Sequence, residues 1–555
     1  MFINKESFAF CVTMKLKYCF IFLILSIALY LPFPIDSESK PADQSLGINL
    51  NGIADWSTEY PFIDFVKSSR EWIAQKKGSS WGKGGELDLN PEGWVQSLQP
   101  DQYADLIFVT INKGLVPYKR FIVNYEGEGE IVYSLNAKLV LQDLAKKKDI
   151  ISLDSANDGY GILSIQKTNP LNPIRNITIV PEKFNSHFQK GEIFNPDWKE
   201  KISPFSTLRF MDWMKTNGSL IDTWQSRPIP SQISYAYKTK QGGEGVPVEL
   251  LIRASNEIKA DAWFNMPHLA DDEYIIEFAG IVKSKLNGNL KVYVEHSNEV
   301  WNWQFPQSHA SLKNAETHWG KNGDGFMQWH GMRTAQICKI WKQVFDKDSQ
   351  RIVCVFGTNM GKGIETSGLE CPLYVKEGNE PCYKSFDAYS IAPYFSGRLS
   401  GGNNPVIVKT IESWIQSKDG GIKKGFEQIS NSKYFEAHDS LTKLKEYFKY
   451  HKSVADKYKL DLIAYEGGQH ITGNGHSTQE LEKFTKYYTL LNRHPNMEKI
   501  YQEHISNWYK AGGGLFMHFS DIGTSSKYGS WGALESLNQK NSPKWKALLK
   551  FTHTK

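Results

Sequence analysis

Two glutamates stand where side chains do chemistry. Glu299 follows the apolar run in "KVYVEHSNEVWNWQF" (291–305), and Glu466 ends the run in "LDLIAYEGGQH". Each stretch reads as a buried strand, and the two lie too far apart in the chain to form a local helical ion pair. A carboxyl at a buried strand end carries a desolvation cost unless it has a partner or a task. Two carboxyls from different strands are what cleavage of a glycosidic bond needs. One protonates the departing oxygen, and the other attacks the anomeric carbon or activates water. The structural alternative for each is an ion pair at a strand end. Trp301 and Trp303 follow Glu299 in what reads as the opening of a helix. Two residues apart on a helix they face different ways, one toward a sugar and the other toward the protein.

The elements that would position these glutamates alternate regularly after Pro247. "VPVELLIRASNEI" reads as a helix, "KADAWFNMPH" as a strand, and "DDEYIIEFAGIVKSKL" as a helix with an acidic first turn. "LKVYVEHSNE", "RIVCVFG", "FDAYSIAPYF", "LDLIAYEGG" and "GGGLFMHFS" follow as strands. "FMQWHGMRTAQICKIWKQVF", "SLTKLKEYFKYHKSVADKY" and "STQELEKFTKYYTLL" follow as helices, the last with a capping-box pattern at Ser477 and Glu480. Two upstream runs, "LGINLNGIADW" and "STLRFMDWM", bring the strands to eight. The expected fold class is α/β, a (β/α)8 TIM barrel. Between those upstream runs the texture changes to alternating apolar and polar residues with Gly and Asn turns. That pattern predicts an antiparallel β-sandwich inserted after the first barrel strand. The expected organisation is a leader over 1–40, the first barrel strand and its loop over 41–98, the sandwich over 99–182 and the rest of the barrel over 183–555.

Composition narrows the function class. With 65 basic and 60 acidic residues, the net charge of +5 is spread without a basic block, so nucleic acid is not the implied partner. Seventeen Trp and 26 Tyr supply flat faces suited to pyranose rings, as well as ordinary packing. "MKLKYCFIFLILSIALYLPFP", from Met14, has the lysines, short apolar stretch and prolines of a secretory signal, which predicts a secreted or cell-surface protein. An uncleaved leader would be the only membrane contact. Cys371 and Cys382 flank a short loop and are expected to form a disulfide, while Cys338 and Cys354 read as small buried hydrophobes. No His/Cys cluster has zinc spacing, and no cofactor is implied.

Asn298-Glu299 after the fourth strand and Glu466 after the seventh resemble the acid/base and nucleophile of clan A glycoside hydrolases. The stretches "GINLNGIADWS", "LRFMDWMKTN", "YVEHSNEVWNW" and "GSWGALE" are similar to secreted bacterial-type proteins often labelled cellulose-binding. The resemblance covers most of the chain after Leu46. It implies a retaining mechanism, with Glu299 as general acid/base, Glu466 as nucleophile and Asn298 bonding the sugar 2-hydroxyl. Tyr394 would hydrogen-bond the nucleophile, Arg209 would hold Glu466 ionised, and Trp531 would floor a subsite. His268, after the third strand, is expected to contact the sugar. His296 is read as structural, its side depending on strand register. Asp55, Trp56, Asp212 and Trp213 recur in the family-like stretches and serve equally well as loop anchors.

The leading reading is a secreted retaining β-glycosidase acting on a β-linked glycan. Its rivals are a non-catalytic carbohydrate-binding protein on the same barrel and a structural protein anchored at the cell surface. Asn176 and Asn217 head glycosylation sequons.

Overall fold

The computed structural model describes residues 44–400, 404–473 and 478–552. The leader pattern and the Ser477/Glu480 capping pattern fall outside what it describes. Eight strands close a parallel barrel: Leu46–Asn49, Thr207–Arg209, Asp261–Met266, Val292–His296, Ile352–Gly357, Ala388–Ile391, Asp461–Ala464 and Phe516–His518. The first strand pairs with both the second and the last, which completes the ring. These are the eight runs expected from the sequence.

Strand parity sorts the side chains into two layers. Trp263, Tyr293, Val355, Ile463, Tyr465 and Met517 form one cluster inside the barrel. Their strand neighbours Phe264, Val294, Phe356, Leu462 and Phe516 pack outward in the main core. That is the two-residue alternation of a strand buried on both faces. The helices close over the outer layer. In Val248–Ile258 the buried Val248, Leu251, Ile252, Ser255 and Ile258 recur at three- and four-residue steps, which puts them on one face. Asp272–Lys285 starts where the Asp271 side chain accepts the Tyr274 N–H, with Asp272 and Glu273 at the positive end of the helix dipole.

Two four-stranded antiparallel sheets lie between the first two barrel strands in the chain. One orders Ile73–Lys76, Gln102–Ile111, Gly159–Thr168 and Gly129–Leu135. The other orders Arg175–Pro181, Arg120–Glu126, Lys148–Leu153 and Ala137–Asp143. Phe108 from the first meets Phe121 from the second edge-on, with ring centroids 6.2 Å apart. Ile73–Lys76 pairs with Gln102–Ile111, so the first sheet takes in chain upstream of residue 99, where the sequence pattern begins. The reason is local: "IAQK" is four residues long and mostly half-exposed or exposed, so it carries almost no apolar alternation.

Cys371 and Cys382 are joined by a disulfide, and Cys338 and Cys354 are buried and free. The bridge spans 11 positions. Closing a loop of that length removes unfolded-state entropy worth about 3 kcal/mol. The Cys371→Ser/Cys382→Ser variant should therefore lose about that much unfolding free energy and unfold at a lower denaturant midpoint. An unchanged midpoint would mean that the bridge adds nothing to the fold. No helix among the described residues is long and apolar enough to cross a membrane.

Candidate active site

Arg209 ends the second barrel strand and is fully buried, with its guanidinium inside the ring. Nη1 donates to Glu466 Oε1 at 2.8 Å and to Asn49 Oδ1 at 2.9 Å. Nη2 donates to Asn298 Oδ1 and to Glu295 Oε2, both at 2.8 Å. One cation thus faces two carboxylates, Glu295 on the fourth strand and Glu466 after the seventh. Burial opposes its charge, but the two carboxylates outweigh that and hold its pKa above the ordinary value. Glu295 Oε2 also accepts from Trp263 Nε1 at 2.9 Å and Asn265 Nδ2 at 2.8 Å. Burial raises its pKa against the pull of Arg209.

The two glutamates singled out by sequence occupy unlike surroundings. Glu466 Oε2 accepts from the Tyr394 hydroxyl at 2.8 Å, so donors hold both of its oxygens. Glu299 has neutral donors instead. Asn302 Nδ2 donates to its Oε2 at 2.9 Å, and the Tyr465 hydroxyl donates to Oε1 at 3.3 Å. Burial first, and the Glu466 charge second, push its pKa up to about 8. Ser297 and Glu299 take positive φ values of 59° and 43°, an uncommon backbone that turns Glu299 out of the strand line. Gln307 pins that turn by donating to Asn298 O at 2.8 Å.

A carboxyl protonated in the folded state and ionised in the unfolded chain loses stability as pH rises from about 4.5 to about 8. Glu299→Gln should therefore melt with the parent at pH 4 and above it at pH 8.5. Equal melting temperatures at both values would mean that Glu299 is not held protonated.

A cavity of about 390 Å³ opens beside these carboxyls, lined by Glu299, Trp301, Asn302, Asn359, Tyr394, His438, Asp439 and His470 among others. Trp301 lines it and donates Nε1 to the Tyr465 hydroxyl at 3.2 Å. Trp303 is 47% exposed and leans on Phe326, at 4.7 Å between centroids. Neither tryptophan is helical, which corrects the expectation. The helix begins at Pro306, favoured at a helix start because it has no N–H to satisfy. The two still diverge, but through the turn before the helix rather than through helical spacing. Trp531 stands 5.9 Å from Tyr394 and 5.0 Å from His470, ring to ring, so it borders the tyrosine that bonds Glu466. Tyr394 itself lies in a short bridge, Tyr394–Phe395 with Gly468–Gln469, just past the sixth barrel strand.

The other sequence candidates scatter. His268 follows the third strand, and its Nδ1 is buried with no partner among the described residues. Burial lowers its pKa to about 4, so it is neutral near pH 7. His296 points outward and meets His330, Nδ1 to Nδ1, at 2.9 Å, which makes it a packing residue. Asp212 is pushed up to about 7 by burial and by the Glu466 charge. Trp213 is fully buried among Phe62, Phe194, Trp198 and Phe210. Asp55 pairs with both Nε and Nη2 of Arg70, and Trp56 is 60% exposed beside that guanidinium. Asn217 uses its Oδ1 to accept from Asn298 and Gln307.

Sequence reasoning missed Glu295, Asn49, Trp263, Asn265 and Tyr465. In "VYVEH" Glu295 shares the phase of Tyr293, which the closed barrel turns inward, so the sequence alone carried no signal that separated it from His296.

No protein-family model and no curated protein matches the chain. Among solved structures, the CBM22-1-GH10 modules of endo-1,4-beta-D-xylanase 10B from Clostridium thermocellum, complexed with xylohexaose, are 10% identical. That match has a TM-score of 0.32 and covers 90% of this chain and 98% of that one. A GH5-4 broad-specificity endoglucanase from Clostridium acetobutylicum is 11% identical at TM-score 0.35, covering 64% and 88%. A family 39 glycoside hydrolase from Bacteroides cellulosilyticus is 13% identical at TM-score 0.31, covering 84% and 82%. The solved structures it resembles are thus glycoside hydrolases. At these scores the likeness carries no functional argument, and function has to be read from the site's own geometry.

Proposed function

We propose that the chain is a retaining β-glycoside hydrolase, with Glu299 as general acid/base and Glu466 as nucleophile. The observation that carries this reading is the contrast between the two carboxyls. Desolvation and the nearby Glu466 charge favour the protonated form of Glu299, and Glu466 is held by the Arg209 guanidinium and the Tyr394 hydroxyl. Pairs of carboxyls with environments pushed apart are how one site runs acid and nucleophile roles together.

In the first step a Glu466 oxygen bonds the anomeric carbon while the Glu299 proton passes to the leaving glycosidic oxygen, whose bond to that carbon breaks. In the second, Glu299 takes a proton from water as the water oxygen displaces Glu466. Asn298, fixed through Arg209 and Asn217, offers its amide to the sugar 2-hydroxyl, and Trp301 and Trp531 offer ring faces. The substrate is a β-linked glycan chain, and the leader pattern supports export.

The test is release of reducing ends from β-glucan, xylan, mannan and galactan by the chain from about Lys40 onward, beside Glu299→Gln and Glu466→Gln. Activity in the parent and a loss of at least about 10³-fold in both variants is expected. Glycan binding without hydrolysis, indifferent to both substitutions, would replace the enzyme with a binding protein.

A further inference from the structure

Two grooves share the wall of one loop, and the first of them includes Asn217, a partner of Asn298. The first, about 450 Å³, is lined by Lys215, by residues 217–221, by Gln225 and Ser226, and by residues 238–244. The second, about 500 Å³, lies between Tyr237, Lys238, Thr239 and Lys240 and the segment carrying Trp72, Ala74, Leu87 and Leu89. Lys238, Thr239 and Lys240 line both. Ala74 belongs to Ile73–Lys76, the edge strand of the first antiparallel sheet, so the insertion supplies one wall.

The shared loop is fastened to the far side. Lys240 Nζ donates to Leu89 O at 2.6 Å, Gln241 N to Pro91 O at 3.0 Å and Ile233 N to Glu92 O at 3.0 Å. At the near side Asn217 Oδ1 accepts from Asn298 Nδ2 at 3.1 Å, and Asn298 immediately precedes Glu299. The shared loop thus touches the chain that carries the inserted sheet, and Asn217, in the lining of the first groove, bonds the residue beside the general acid.

We infer that these grooves form one extended track for a glycan chain, with the insertion as its outer wall, so that the site takes polymers rather than disaccharides. This rests on the glycosidase reading and deepens it. Each volume lies within the range of ligand sites. The lining offers what a sugar chain takes up: amides and hydroxyls for its hydroxyl groups, and Leu220, Leu87 and Leu89 for its C–H faces. Gln225, Lys238 and Gln241 line the first groove, and their side chains make no hydrogen bond or ion pair among the described residues. All three are exposed, which leaves their side chains free to meet a ligand.

The experiment uses calorimetric binding of cellohexaose, xylohexaose, mannohexaose and galactohexaose, and of the matching disaccharides, to the inactive Glu299→Gln/Glu466→Gln chain. The same chain is then measured with Gln225→Ala, Lys238→Ala and Gln241→Ala added. At least one hexasaccharide should bind about 10-fold or more tightly than its disaccharide, and the triple substitution should abolish that advantage without moving disaccharide affinity. In the otherwise wild-type chain the triple substitution should leave hydrolysis of an aryl β-glycoside unchanged. A length advantage that survives the substitutions, or no hexasaccharide binding at all, overturns the track. Loss of the advantage in a parent that hydrolyses no aryl glycoside or polymer upholds the track and instead sinks the hydrolase reading.

Discussion

Glu466→Gly should slow hydrolysis of a 2,4-dinitrophenyl β-glycoside by about 10⁴-fold, and added azide should restore turnover with an α-glycosyl azide as product. The reason lies in the carboxyl's two donors. Arg209 Nη1 and the Tyr394 hydroxyl each lie 2.8 Å from one Glu466 oxygen, so the group is fixed in place. Removing it leaves room for one small anion to attack the same face of the sugar, and a single displacement inverts the anomeric centre. Glu299→Ala is the complementary case. A dinitrophenolate needs no proton to depart, so bond cleavage survives, while release of the glycosyl-enzyme slows for want of a base. Azide then attacks that intermediate and gives the β-azide. The two products assign the two roles independently of any rate. A β-azide from Glu466→Gly, or a rate within about tenfold of the parent, would remove Glu466 from the nucleophile's position.

The barrel was readable in the sequence because parallel strands buried on both faces leave near-continuous apolar runs that few other elements imitate. "RIVCVFG" and "LDLIAYEGG" therefore fell on Ile352–Gly357 and Asp461–Ala464. The inserted sheets were readable where alternation was long, as in Gln102–Ile111, and not in the four-residue Ile73–Lys76. Glu299 and Glu466 were legible as carboxyls at strand ends, and the strands bring Arg209 and Tyr394 to Glu466. What composition could not tell was which of two adjacent polar residues faces inward. Glu295 and His296 exchange roles on a one-residue shift of phase, and only the ring's closure, which puts Tyr293 inside, fixes that phase. Loop residues such as Asn217 and Gln307 carry no periodic signal at all. Their part in holding Asn298 is a property of the folded chain alone.

The second large effect is expected at Glu295, which would touch no substrate in the proposed double displacement and would act through Arg209 as a positioning residue. Glu295→Leu should lower the unfolding free energy by about 3–5 kcal/mol, the cost of leaving a buried charge half-paired. The Arg209 Nε and Nη2 contacts, the Trp263 indole N–H and the Asn265 amide would all be deprived of an acceptor in a dry interior. Glu295→Gln keeps the shape and one acceptor oxygen but not the charge. Its consequence is electrostatic: Arg209 then faces Glu466 alone, which holds that carboxylate more tightly and makes it a poorer nucleophile. The expected result is a folded enzyme whose kcat falls by about 10²-fold with little change in KM, since the Glu295 charge matters only as Glu466 gives up its own to the anomeric carbon. A structural role alone would move the melting temperature and leave the kcat-against-KM split unmoved. A Glu295→Gln enzyme with parental kcat would mean that Arg209 serves Glu466 without a second carboxylate to balance it.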